Sequence, residues 1–218
     1  MKVFESPRFL LCLRALTLLL LLAAFPLSAV LPVSLSWENG PIEDLQAVVL
    51  LSGALIAVYY AGRSRDRTVM WFWLAMLPFW LVCLGRELSW GAVFLTPISV
   101  DAHGPSFSSD LLPYQPLIRP VLIALGVFAL CAFLLARGPA KLAALAQRRA
   151  LPWFELMMVA AGLLLSTACE GHMHMSVPLS AGRAQIVEEL AEVCAYLALL
   201  GAQWQVARGL HAPPRRRH

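Results

Sequence analysis

Six apolar stretches alternate with short polar ones along the chain: residues 9–32, 41–61, 68–90, 117–137, 151–170 and 184–207. A helix needs about 20 mostly apolar residues to cross a bilayer, and each stretch supplies them. The pattern predicts an all-α, polytopic membrane protein. It reads as one domain over residues 1–218, a bundle of six transmembrane helices ending in a basic tail over 208–218. The first stretch has a second reading, a cleavable signal peptide, because FPLSA before Val30 offers small residues at a cleavage site. Its apolar run exceeds the ~7–15 residues of a signal-peptide core, which favours a helix.

The sixth stretch breaks the pattern in a way that organises the rest. Arg183 to Ala207 reads RAQIVEELAEVCAYLALLGAQWQVA, with Glu188, Glu189 and Glu192 in its first third. At ~1.5 Å per residue, Glu192 lies roughly 13 Å along the helix from Arg183. Helix-dipole effects fade within the first turn, so they do not explain an acid that deep. An acid inside a spanning helix costs from about 2.5 to well over 10 kcal/mol unless it faces a bundle interior and finds partners. Gln185, Glu189, Glu192 and Tyr196 follow a 4-3-4 spacing that makes one stripe, and Glu188 stacks on Glu192 one turn away. Acids this close cannot all be ionised cheaply: one holds a proton, or a cation sits among them.

Composition agrees with the pattern, with 60% of residues hydrophobic and 14% charged. A soluble domain carries about a quarter charged residues. The net charge of +4 does not point to nucleic acid, because Lys and Arg fall in short clusters between apolar runs. That spacing reads as topology. With the amino terminus inside, 14 of the 17 basic residues fall on the cytoplasmic side, leaving Arg86, Arg119 and Arg183 outside. The predicted location is a bacterial-type inner membrane, multi-pass, with both termini cytoplasmic. The tail HAPPRRRH then anchors to anionic inner-leaflet lipid. Trp71 and Trp90, 19 residues apart, fit two aromatic belts roughly 28 Å apart along a helix. The five cysteines lie in apolar segments without CxxC spacing, so no structural disulfide or thiolate metal site is expected.

Ten of the 13 acids gather at or near the outer side, together with His103, His172 and His174. Helices 2, 3, 5 and 6 bring ionisable groups to that level, whereas helices 1 and 4 read as packing or lipid-facing elements. WENGPIEDLQ opens helix 2: Asn39 or Gly40 caps it, Pro41 suits its first turn, and Glu43 and Asp44 meet the helix dipole. Glu43 also shares a face with Gln46, so the pair could instead line a cavity. GRELSWG ends helix 3, with Glu87 and Trp90 on one face and Arg86 either pairing with a helix-6 acid or snorkelling outward. CEGHMHM ends helix 5, where Glu170, His172 and His174 offer carboxylate and imidazole ligands suited to zinc or another divalent metal. Interfacial histidines that sense or shuttle protons are the other reading of that stretch. The loop TPISVDAHGPSFSSDLLPYQP, rich in Pro, Ser and Gly, is expected to cover the cluster as an irregular lid. Glu155, after Pro152, reads as a helix-start acid.

ENGPIEDLQA, RELSWG and EELAE together resemble a family of uncharacterised bacterial inner-membrane proteins. That family has an acidic opening, an E-[IL]-S-W-G motif and a late E-E-x-x-E. The resemblance spans most of the chain and implies no particular activity. The residues leave two functional classes open. In the first, a metal-dependent hydrolase or transferase acts on a lipid or envelope precursor. Glu87, Glu188 and Glu192 then do the chemistry, while Glu170, His172, His174 and Glu189 hold the metal. Glu43, Arg86, Gln185 and Tyr196 complete the polar cluster. In the second, the helix-6 acids form a protonatable site for proton- or cation-coupled transport. A non-catalytic accessory subunit, whose polar cluster only holds helices together, is the remaining alternative.

Overall fold

The structure is a computed structural model and describes residues 7–101, 104–171 and 177–211. Its frame is helical. α1 (Pro7–Leu27), α2 (Pro41–Arg63), α3 (Arg67–Glu87), α4 (Gln115–Leu135), α6 (Trp153–Cys169) and α7 (Ala181–His211) arise from the six apolar stretches. A further helix, α5 (Gly138–Gln147), joins α4 to α6. Four segments, Arg8–Leu27, Val33–Arg63, Arg67–Glu87 and Gln115–Leu135, are long and apolar enough to cross a membrane. α6 is apolar but shorter at 17 residues.

α7 is the hub. It packs against α1, α2 and α6, α3 packs on α2, and α4 lies outside on α3. From Ile186 to Val187 and Glu189 to Tyr196 every residue of α7 is buried. A helix buried all round belongs inside a bundle. Ala191, Cys194, Ala195, Ala198 and Ala202 give it small surfaces on which neighbours can approach closely. The closest approach is by α6: a Cβ on Gly162 would stand 2.6 Å from the Ala191 carbonyl oxygen. On the other side, α2 meets α3 where Gly53 lies under the Trp80 ring. α4, by contrast, buries Ala132 and presents leucines, Val127 and Phe128 outward.

Helix ends depart from the apolar boundaries where particular contacts stop them. The third stretch, drawn to residue 90, ends as a helix at Glu87. Ser89, Trp90 and Gly91 then take positive φ values of 44°, 56° and 100°. The turn folds the Trp90 ring back over Gly85, where a Cβ would come within 2.8 Å of it, and Tyr114 Oη donates to the Trp90 carbonyl at 2.8 Å. Trp90 therefore leaves the face of Glu87, and its spacing from Trp71 is not a distance along one helix. At the opposite end, Asp66 caps α3 by accepting from the Thr68 N–H at 2.7 Å and its hydroxyl at 2.9 Å. Those two donors hold the Asp66 carboxyl below its ordinary range.

The connection from α3 to α4 is more ordered than its Pro-Ser-Gly composition suggests. It contains a 3₁₀ turn at Ser89–Phe94, a small antiparallel hairpin and a second 3₁₀ turn at Ser109–Leu111. The hairpin pairs β1 (Ser99–Asp101) with β2 (Gly104–Ser106). Glu38 ties this loop down by accepting from Ser89 Oγ at 3.0 Å and from the Phe107 N–H at 2.9 Å.

Candidate functional site

One end of the bundle brings four helices to one polar level. α7 supplies Glu189 and Glu192, less than one turn apart, and Tyr196 one turn further in. α3 ends at Glu87 against this face, α2 contributes Gln46 and α6 contributes Ser166. Each of the three carboxylates receives a neutral hydrogen bond from a different helix. Tyr196 Oη donates to Glu87 Oε2 at 2.9 Å, and Ser166 Oγ donates to Glu192 Oε1 at 2.8 Å. Gln46 Nε2 donates to Glu189 Oε2 at 2.9 Å and to its backbone carbonyl at 3.0 Å.

Oxygen atoms of Glu87, Glu189 and Glu192 all lie within 4.8 Å of one another. Among the described residues this is the one group of three metal-ligating side chains that converges. Glu189 and Glu192 are buried, and Gln46 is completely so. Gln46 Oε1 has no hydrogen-bond partner. Three carboxylates so close inside a bundle cannot all carry charge without a counter-ion. One guanidinium is near: Arg86 Nη2 stands 3.8 Å from Glu192 Oε1, with 69% of the Arg86 side chain exposed. This is a loose pair, open on its cationic side.

The remaining candidate residues distribute around this core. Glu188 lies close enough to Glu170, at the end of α6, for the two side chains to interact. The structure thus groups Glu87 with Glu189 and Glu192, and Glu188 with Glu170, a division that cuts across the roles the sequence suggested. Gln185 leaves its stripe and donates to the Ser36 carbonyl at 2.9 Å, fastening α7 to the 3₁₀ turn Val33–Ser36. Glu43 folds back to accept from the Asn39 N–H at 2.5 Å, the helix-start role, yet stays near enough to Glu87, Glu189 and Glu192 to interact with their charges, while Gln46 reaches the cluster by hydrogen bonds. His103, His172 and His174 lie outside the described residues.

Sequence reasoning missed Ser166, and offered Gln46 a cavity-lining place only together with Glu43. Ser166 had a signal, a hydroxyl within the apolar run LLLSTAC, where a polar side chain needs a partner. A second polar knot, at the basic end, was also missed. Arg14 Nε pairs with Glu155 Oε1 at 2.6 Å, its other nitrogen binds Gln205, and its guanidinium lies 5.5 Å from the centre of the Phe154 ring. Glu155 does stand in the first turn of α6, as expected, but it is buried and paired as well, and α1 is more than an apolar packing element. Both residues had fallen among the inner-side charges, where the topology pattern already accounted for them.

Comparison with known proteins identifies no family, no curated protein and no solved structure that matches this chain.

Proposed function

We propose that this is a six-span protein of a bacterial-type inner membrane, with both termini cytoplasmic. Its outer-side carboxylate cluster binds a divalent cation for a metal-dependent hydrolase or transferase reaction on an anionic lipid or envelope substrate. α7 counts as a span on this reading although it carries acids, because those acids point into the bundle and not at lipid. α6, at 17 residues, measures roughly 25 Å. A bilayer core of about 30 Å accommodates that by local thinning.

The observation that carries the reading is the mutual approach of Glu87, Glu189 and Glu192 within 4.8 Å. With all three ionised, Arg86 neutralises one charge, and a divalent cation would neutralise the other two. The Gln46 amide, buried and donating to Glu189, holds one of the three carboxylates in place. An all-oxygen set favours a hard ion such as Mg²⁺, Mn²⁺ or Ca²⁺ over zinc. The exposed guanidinium of Arg86 suits a phosphate or carboxylate on the substrate, and Tyr196 orients Glu87.

A second reading, proton- or cation-coupled transport, has its own support. The Glu188–Glu170 pair forms an acidic step between exposed Glu170 and the buried cluster. Titration of purified full-length protein with Mn²⁺, followed by electron paramagnetic resonance, separates the readings. One site, competed by Mg²⁺ or Ca²⁺ and lost in Glu192→Gln and Glu189→Gln, is expected. No binding by the unaltered protein would sink the metal reading and leave the protonatable site.

A further inference from the structure

A second candidate site lies at the basic end, far from the carboxylates, and it does not depend on their role. A cavity of about 190 Å³ is framed by α5, the start of α3 and the end of α7. It is lined by Asp66, Val69, Lys141, Ala144, Leu145, Arg148, Gly209 and Leu210. Lys141, Ala144, Leu145 and Arg148 follow i, i+3, i+4, i+7 spacing, so one face of α5 supplies half the wall. Leu145 is 1% exposed and anchors that face against Gly209, where a Cβ would come 2.6 Å from the Leu145 side chain. The anchor places the Lys141 and Arg148 stems on either side of one opening. Their Cα atoms are about 10 Å apart along the helix, so both long side chains can converge on one small anion.

The charges around the opening favour an anion. From Arg137 to Ala150 the chain holds Arg137, Lys141, Arg148 and Arg149 and no acid. Asp66, the acid in the lining, caps α3 through the Thr68 N–H and hydroxyl and also attracts Lys141, so the lining holds two basic side chains to one acid. Arg148 Nη1 donates to the Gly209 carbonyl at 3.0 Å, which fixes the guanidinium at the cavity wall. Leu142, beside Lys141 in the α5 sequence, and Leu134 and Leu135, at the end of the preceding α4, are exposed. Cationic donors with exposed leucines nearby in the sequence match a molecule with a phosphate head and acyl chains.

We propose that this cavity binds the phosphate of an anionic phospholipid headgroup, held by Lys141 and Arg148, with the acyl chains lying along the α4–α5 leucines. Such a site would fix α5 and the end of α7 to one membrane surface. Two basic groups at a membrane surface contribute enough that their loss should weaken binding roughly tenfold or more.

Native mass spectrometry of the purified full-length protein tests this, with phosphatidylglycerol, phosphatidylcholine or inorganic phosphate added. The protein should retain phosphatidylglycerol over phosphatidylcholine, and Lys141→Gln/Arg148→Gln should abolish the preference. Arg63→Gln/Arg65→Gln, basic positions outside the cavity lining, should keep it. Asp66→Asn, which preserves the helix cap, should retain phosphatidylglycerol more strongly, a gain that misfolding cannot produce. Equal loss in the two double variants would reduce the effect to diffuse charge and overturn the proposal. Equal retention of both lipids would overturn it too, by leaving only acyl-chain contact. Displacement of phosphatidylglycerol by inorganic phosphate would overturn the lipid assignment in favour of the free ion.

Discussion

Two arginine–glutamate pairs in this protein differ sharply in what they contribute. Glu155 has a side chain 2% exposed, its Oε2 lacks any partner, and Arg14 holds its Oε1 at 2.6 Å. Removing Arg14 leaves a buried charge uncompensated, which costs about 3–5 kcal/mol. Arg14→Ala should therefore melt the purified protein well below the unaltered chain, and Arg14→Ala/Glu155→Gln should recover most of the loss. Arg86 meets Glu192 only at 3.8 Å and is largely exposed, so Arg86→Ala should cost at most about 1 kcal/mol. Equal losses for the two single variants would contradict this ranking. The same residue type thus serves as a structural clamp at one end and as an open cation beside the acids at the other.

At the scale of elements, the candidate site depends on how near α6 comes to α7. Gly162 permits that approach, since its missing Cβ would sit 2.6 Å from the Ala191 oxygen and 3.1 Å from the Ala195 Cβ. Gly162→Leu should push α6 away and part Ser166 from Glu192, at an overpacking cost of about 1–3 kcal/mol. Gly126 on α4 has nothing within 4 Å, so Gly126→Leu is the control and should melt like the parent. If both variants melt alike, the α6–α7 crossing does not hold the site together. The turn after α3 is an element of the same kind. RELSWG reads as a helix continuing to Trp90, yet Gly85 and Gly91 let the chain reverse, so Glu87 ends its helix facing α7. The glycines were visible in the sequence, but the reversal depends on Trp90 and Tyr114 meeting there.

Across the whole molecule, the up-and-down order of the helices puts the acids at one end and the basic knots at the other. The topology reading makes a direct prediction for a chain whose five native cysteines have been replaced. A single cysteine at Ser99, on exposed β1, should react with an impermeant maleimide in intact cells. One at Gln147, in the exposed last turn of α5, should react only after permeabilisation. The reverse result would invert the protein in the membrane and move the carboxylate cluster to the cytoplasmic side.

Much of this architecture was legible because hydropathy and helical periodicity are local. The apolar stretches became α1, α2, α3, α4, α6 and α7, and the acids of the last stretch marked it as the buried hub. The stripe of Glu189, Glu192 and Tyr196 followed from the spacing alone. Periodicity says which residues share a face of one helix, but not which other helix covers that face. For α7, buried on every side, it could say least. Only the packed bundle decided that Glu192 meets Ser166 and Arg86, that Glu188 turns to Glu170, and that Gln185 leaves its stripe for Ser36. The same packing decided that Arg14 and Glu155, 141 residues apart, close the other end. Contacts of that kind depend on interhelical distances, which small residues such as Gly162 and Ala191 set and which no single segment encodes.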